Sequence, residues 1–275
     1  MIGQKNLKDQ IRNGNLAHFM ILVGAKGSGK KTLLSELFDG FDTIYLEDNK
    51  VDSVRKMIDI VYRVHKHIFI MPDADDMSLS ARNALLKVVE DCPNDNYFIM
   101  TLEDEQNTLE TIRSRAVIYH MENYAEDDLL EYIRDNFPEE YDYGLAPLLL
   151  DLCEVPGEIN ELIYSDVTEF YNYVVKVVDN IAEVSGANAF KIADKLNLKG
   201  DDSKYELKLF WKIFINICIS RFKQNKAQIR RYATGCQITS KYLRDLKIKG
   251  INKSALFDAW LLSIRDEWLN YDGTE

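Results

Sequence analysis

The stretch GAKGSGKKT, Gly24 to Thr32, has the residue types and spacing of a phosphate cradle. In the pattern G-x-x-x-x-G-K-[ST], glycines let backbone N–H groups turn toward phosphate oxygens, and the lysine reaches the outer phosphates as a point charge. The last hydroxyl normally ligates Mg²⁺. Gly24, Gly29 and Lys30 fit, and Gly27 lies inside the loop. Lys31 does not fit, because an ammonium cannot ligate a cation and adds a competing charge. Thr32 comes one position late, and one step along a helix turns a side chain by about 100°. A glycine-rich turn with no ligand is the plain alternative.

Metal chemistry would also need the stretch IFIMPDADDMS. An ATPase of this kind has an apolar strand, then Asp for Mg²⁺, then often Glu to orient water. Here Met71 is followed by Pro72, which has no carboxylate. Asp73 stands where the Glu would be, one methylene shorter. A shifted register makes Asp73 the metal ligand and puts Ala74 at the base position. Either way one function is lost. His18, His65, His67 and His120 share no spacing with carboxylates or cysteines, so none is assigned to a metal or a proton. Cys92, Cys153, Cys218 and Cys236 form no C-x-x-C pair, which argues against a zinc site and for ordinary thiols.

The elements around these residues read as α/β. HFMILVG (His18–Gly24), TIYLE (Thr43–Glu47), HIFIM (His67–Met71), NYFIMTL (Asn96–Leu102) and AVIYHM (Ala116–Met121) predict strands of a parallel sheet. Helices are predicted after the glycine loop, over Val51–Val64, and from Ser78 to Asp91 before Cys92-Pro93. The loop therefore joins a strand to a helix, as a phosphate loop requires, and the alternation implies helices on both faces. After Glu122 the pattern turns helical, with an amphipathic, acidic helix over Tyr124–Phe137. VTEFYNYVVKVVDNIAEV reads as helix by its length. The layout predicts three parts: an α/β domain over 1–121, a small helical lid over 122–165 and a helical collar over 166–275.

The 275 residues are 46% hydrophobic, enough for a core, and carry a net charge of −11. That balance disfavours an autonomous nucleic-acid binder, which needs clustered Lys and Arg. MIGQKNLKDQ shows no signal pattern. LKLFWKIFINICIS (Leu207–Ser220) is interrupted by Lys212 and Asn216 and shorter than about 20 residues, so it reads as a buried helix with Phe210, Trp211 and Phe214 in a core. A cytoplasmic protein with no membrane partner is expected.

The stretch from Asp73 to His120 resembles the clamp-loader branch of the AAA+ ATPases. NALLKVVED with its following proline resembles that branch's Asn-Ala-Leu-Leu-Lys helix. YFIMTLED resembles its sensor strand, with Thr101 at the sensor position. TIRSRAV resembles its Ser-Arg-Cys segment, with Ala116 where Cys is usual. IGQ at Ile2–Gln4 and VDSVRKMI at Val51–Ile58 resemble further segments, so the likeness covers roughly residues 1–121. Anchoring on Asn83 puts Pro72 on the metal-binding Asp and Asp73 on the Glu. VPGEINELI (Val155–Ile163) resembles the lid segment that carries a second sensor arginine, and Asn160 stands in its place. A degraded nucleotide site beside an intact Ser-Arg segment is most similar to the bacterial delta-prime type. Residues 33–67 hold no cysteine, so the zinc module common in those subunits is absent.

The resemblance implies that Arg115, oriented by Ser114, reaches ATP held by a neighbouring subunit. Such an arginine contributes roughly 10³ to 10⁵ in rate. The plain alternative is a surface ion pair with Glu110 or Glu122. No cofactor is required in this reading. ATP, ADP or phosphate at the degenerate loop, on Lys26, Lys30 and Lys31, stays open, with Mg²⁺ not expected. The implied partners are other clamp-loader subunits in a hetero-oligomer, a sliding clamp, and primed DNA reached through the assembly, with Arg82 and Lys87 either facing DNA or merely solvated. Two other readings stay open. One is an active motor ATPase that recruits Thr32 and Asp73 to Mg²⁺. The other is an AAA-like binding module outside clamp loading.

Overall fold

The computed structural model describes residues 3–13, 16–142, 145–164, 167–181, 196, 198, 206–224, 228–246, 248 and 250–272. Ile2 and residues 182–184, which carry part of the sequence reading, lie outside them. The chain forms two compact units: residues 1–146 with 153–161, and residues 147–152 with 162–275.

The first unit is built on five parallel strands. These are β1 (Phe19–Val23), β2 (Thr43–Tyr45), β3 (Ile68–Met71), β4 (Tyr97–Leu102) and β5 (Val117–His120), in spatial order β2-β3-β4-β1-β5. All five predicted strands are present, each slightly shorter than its apolar run. The helices are α1 (Lys5–Asn13), α2 (Lys30–Leu37), α3 (Val51–Val61), α4 (Leu79–Asp91), α5 (Glu110–Arg113), α6 (Glu126–Asn136), α7 (Pro138–Asp142), α8 (Ala146–Leu152) and α9 (Pro156–Ile163), of which α8 and α9 run on into the second unit.

Side chains alternate across a strand, and the core follows that rule. Phe19, Ile21, Val23, Phe69, Met71, Phe98 and Met100 pack on one face with Val54, Met57 and Val61 of α3 and Leu85 and Val88 of α4. Met20, Leu22, Ile68, Ile70 and Ile99 pack on the other with Leu7 and Ile11 of α1 and Leu33 and Leu34 of α2. Helices thus cover both faces. Ser78 caps α4, its Oγ accepting from the Ala81 N–H at 3.2 Å. α3 ends at Val61, one turn short of the apolar pattern, because Val64 belongs to a turn whose carbonyl accepts from Asn96 Nδ2.

Among the described residues of the second unit, Val167–Asn180 is helical, followed by helices Leu207–Gln224, Ile229–Asp245 and Lys253–Asp272. Phe210, Trp211 and Phe214 are fully buried, with Phe257, Trp260 and Trp268. Trp260 stacks edge-on with Phe210 and Phe214 and donates its Nε1–H to Thr239 Oγ1 at 2.9 Å. No helix is long and apolar enough to cross a membrane among the described residues. All four cysteines are free thiols.

Candidate functional site

A parallel sheet sends every strand end of one kind to the same edge. β1 ends at Val23 and leads into the glycine loop. β3 ends at Met71 and leads to Asp73, and Thr101 lies near the end of β4. Gly24, Gly27, Gly29, Lys30, Lys31, Thr32, Asp73 and Thr101 therefore gather at the C-terminal edge. Gly27 and Gly29 have φ of 80° and 83°, the left-handed region that favours glycine, so the loop turns where its sequence allows.

Lys30 is folded into its own loop. Its Nζ donates to the Gly24 carbonyl at 2.6 Å and to the Ala25 carbonyl at 3.1 Å. Burial pushes its pKa down, and the carboxylates of Glu103, Asp73 and Asp75 oppose that. Lys31 Nζ sits 3.0 Å from Asp73 Oδ2. The residue at the expected hydroxyl position and the residue at the expected Glu position thus hold each other. Asp73 is gripped at its backbone as well: its N–H donates to Thr101 Oγ1 at 2.9 Å, and its carbonyl accepts from Asn49 Nδ2 at 2.7 Å. Its φ of 49° is unusual for a residue other than glycine.

The other nearby carboxylate is engaged too. Asp75 accepts from the Glu103 N–H at 2.9 Å, from the Asp104 N–H at 3.3 Å and from Asn107 Nδ2 at 2.9 Å. Mg²⁺ wants near-octahedral oxygen donors, at least one of them anionic. Lysine, proline, an ion-paired Asp73 and a saturated Asp75 do not make that set. Among the described residues, no group of three or more His, Cys, Asp and Glu could hold a metal ion.

Beside the loop lies a cavity of about 170 Å³, lined by Gly27, Gly29, Thr32, Tyr124, Tyr132, Pro156, Gly157 and Asn160. Asn160 Oδ1 accepts from the Tyr132 hydroxyl at 2.9 Å, and the Tyr124 hydroxyl donates to the Ser28 carbonyl at 2.8 Å. Burial pushes the Tyr124 pKa up to about 12.

Ser114 and Arg115 lie at the opposite edge, just before the N-terminal end of β5, beside Ala17, His18 and Phe19 at the start of β1. β1 has five residues and so spans roughly 15 Å. Arg115 does not pair with Glu110 or Glu122. Its Nη1 donates to the Thr111 carbonyl at 2.8 Å and its Nε lies 3.3 Å from Glu90 Oε2. Ser114 Oγ donates to the Thr111 carbonyl at 3.2 Å. With Val89, Glu90, Cys92 and Val117, these residues line an open groove of about 650 Å³. Arg115 keeps about a third of its side chain exposed there. Arg82 is turned inward, its Nη2 donating to the Asp75 carbonyl at 2.8 Å.

Sequence reasoning missed Glu90, Tyr124, Tyr132 and Gly157. Nothing in the local pattern marks Glu90 as the partner of Arg115. The Lys31–Asp73 pair has a signal in the sequence, since opposite charges occupy two positions that the resemblance brings to the same site.

Residues 47–125, which run from just after β2 to the start of the lid segment, match the family model described as "DNA polymerase III, delta subunit". That matched segment is similar to clamp-loader subunits, as are the curated relatives. Two relatives come from Buchnera aphidicola subsp. Schizaphis graminum. The gamma subunit of DNA polymerase III is 24% identical over 184 residues, covering 51% of this chain and 51% of that protein. The delta' subunit is 24% identical over 179 residues, covering 64% of this chain and 51% of that protein. The chain thus spans about half the length of these relatives. In fold it is similar to a point mutant of RuvB from Thermotoga maritima, with a TM-score of 0.50 and 16% identity over 96% of this chain and 88% of that one.

Proposed function

We propose that this chain is a delta-prime-like subunit of a replicative clamp loader that does not hydrolyse ATP itself. It braces a hetero-oligomeric ring of clamp-loader subunits and lends Arg115 to nucleotide held by a neighbour. The ring opens a sliding clamp and sets it on primed DNA. One observation carries the reading: the two halves of the ATPase apparatus lie at opposite edges of one sheet and are in opposite condition. The loop edge offers no metal donor set. At the other edge Arg115 is partly exposed in an open groove, aligned by Thr111 and Glu90. A guanidinium at that edge cannot reach its own loop across the strand, which supports a role toward another molecule. There it would neutralise charge developing on the transferred phosphate. The similarity to gamma and delta' subunits supports the partners, and the acidic net charge supports contact with DNA through the ring rather than alone.

The test has two arms. The purified chain is assayed for ATP turnover with Mg²⁺, beside Lys30→Ala, and no turnover is expected from either. The chain is then reconstituted with a gamma-type ATP-hydrolysing clamp-loader subunit, and Arg115→Ala is compared with wild type. A large loss of turnover supports the role in trans. Turnover by the isolated chain that Lys30→Ala abolishes would overturn the reading in favour of a motor ATPase.

A further inference from the structure

Charge is not spread evenly along this chain. Residues 207–254 hold twelve Lys and Arg and one carboxylate, Asp245, while the remaining residues hold 22 Lys and Arg against 44 Asp and Glu. The net charge of −11 is therefore the average of a basic stretch in the second unit and an acidic remainder. Part of the basic stretch is committed to the chain itself. Lys212 Nζ donates to the Leu152 carbonyl at 3.0 Å, Arg221 pairs with Asp179 at 2.9 Å, and the Arg231 guanidinium lies 4.5 Å from the centre of the Trp268 ring.

Another part faces outward along one helix. In Ile229–Asp245 the buried residues are Tyr232, Gly235 and Thr239, and they fix the helix's rotation. A Cβ on Gly235 would lie 2.9 Å from Cζ2 of the fully buried Trp268, so glycine lets the helix seat this closely. One residue turns a helix by about 100°, which puts Arg230, Thr234, Gln237, Lys241 and Arg244 within about 80° of one another on the opposite face. Arg230, Gln237, Lys241 and Arg244 are exposed, and Thr234 is half-buried. The stripe runs about 21 Å. Three of its five residues are cations and none is a carboxylate. Asp245 ends the helix and is half-buried. Lys223, near the end of the preceding helix, and Lys253, at the start of the next, are exposed as well.

We propose that this face binds the sugar–phosphate backbone of duplex DNA without reading its sequence. Arg and Lys neutralise phosphates, and an amide such as that of Gln237 donates to phosphate oxygens. Cations fixed along a rigid helix suit a stiff duplex. Unpaired bases would call for aromatic side chains to stack on, and the stripe has none. A protein interface would call for aromatic or apolar residues at its centre and few lysines, and the stripe has the reverse composition. The face lies in the second unit, away from the residues of the glycine loop and Arg115 in the first. The inference goes beyond the role of Arg115 and does not depend on it.

The test is binding of the full chain to a labelled duplex of about 20 base pairs, without nucleotide, between about 20 and 200 mM salt. Three phosphate contacts should make log K fall against log salt with a slope of about −2.7 or steeper. Arg230→Gln, Lys241→Gln and Arg244→Gln together should flatten that slope by about 2.7 and weaken binding at the lowest salt by about tenfold or more. Lys5→Gln, Lys56→Gln and Arg63→Gln together remove the same charge from exposed positions of the first unit and should change the slope by less than about 1. If the first triple variant does not fold, Lys241→Gln alone decides, with an expected flattening of about 0.9. No binding by the wild type at the lowest salt, or equal losses from the two triple variants, would overturn the inference. Tighter binding to an unpaired strand of the same length would overturn it in favour of single-stranded DNA. Displacement of the duplex more readily by polyglutamate than by unlabelled duplex of equal charge would overturn it in favour of an acidic protein partner. ATP turnover is not read in any arm, so this inference and the reading of Arg115 can fail separately.

Discussion

The two edges of the sheet in the first unit share strands, cores and helices, yet one is closed on itself and the other is open. At the C-terminal edge, the charged groups that the metal site would draw on already have partners within the chain. Lys30 bonds its own loop, Lys31 pairs with Asp73, and Asp75 caps the turn after β4. At the N-terminal edge, Arg115 is held by Thr111 and Glu90 at the rim of a groove several times larger. Arg115 keeps about a third of its side chain exposed, as the proposed role would need.

The contrast predicts unequal consequences. Arg115→Ala should lower the turnover of the reconstituted assembly by roughly 10³-fold or more. Arg115→Lys should recover little of it, since a point charge lacks the planar fork. Lys30→Ala should change the same rate by less than about threefold, because an unused loop lysine contributes no transition-state charge. Equal losses from both would erase the distinction between the edges.

Stability should be blind to that distinction. Leu33 on the loop-side face and Leu85 on the opposite face are each almost fully buried. Either Leu→Ala change should cost about 2–5 kcal/mol in denaturant unfolding, as large-to-small core changes do. If only one face proved costly, the two cores would not be equivalent supports.

The carboxylates sharpen the claim that the loop edge is structural. Asp75→Ala removes the shared acceptor of the Glu103 and Asp104 N–H groups, which water can replace only in part, and should cost about 0.5–1.5 kcal/mol. Lys31→Ala breaks only an exposed pair and should cost about 1 kcal/mol or less. A larger effect for Lys31 than for Asp75 would show that the pair matters more than its exposure suggests.

The smallest effect is one of pH. The folded pKa of Lys30 is lowered, with burial as the main cause. The unfolded chain then binds more protons between the folded pKa and the ordinary value of 10.5, so stability rises with pH across that window. Below it the cost of the buried ammonium is present in full. The stability difference between wild type and Lys30→Met should shift toward wild type as pH climbs through the alkaline range, by about 1 kcal/mol or less. A shift in the other direction would mean that the carboxylates around Lys30 outweigh its burial.

Much of this was legible in the chain itself. Apolar runs of strand length, separated by helical periods, dictated an α/β sheet covered on both faces. Glycines at 24, 27 and 29 dictated a turn between a strand and a helix. Proline at 72 and lysine at 31 put no side-chain oxygen, in any fold, at two positions where the resemblance expects metal donors. The tertiary structure decided what the remaining groups do. Strand order is a property of long-range pairing, and it put Arg115 a full strand length from the loop. Lys31 meets Asp73 because two parallel strands end at the same edge, and the Gly157 N–H meets the Gly27 carbonyl across 130 residues because a helix start needs an acceptor that only a folded chain can bring. Local sequence sets which residues can adopt a conformation or donate a charge. Which of those charges stays free for another molecule depends on which neighbours folding delivers to it.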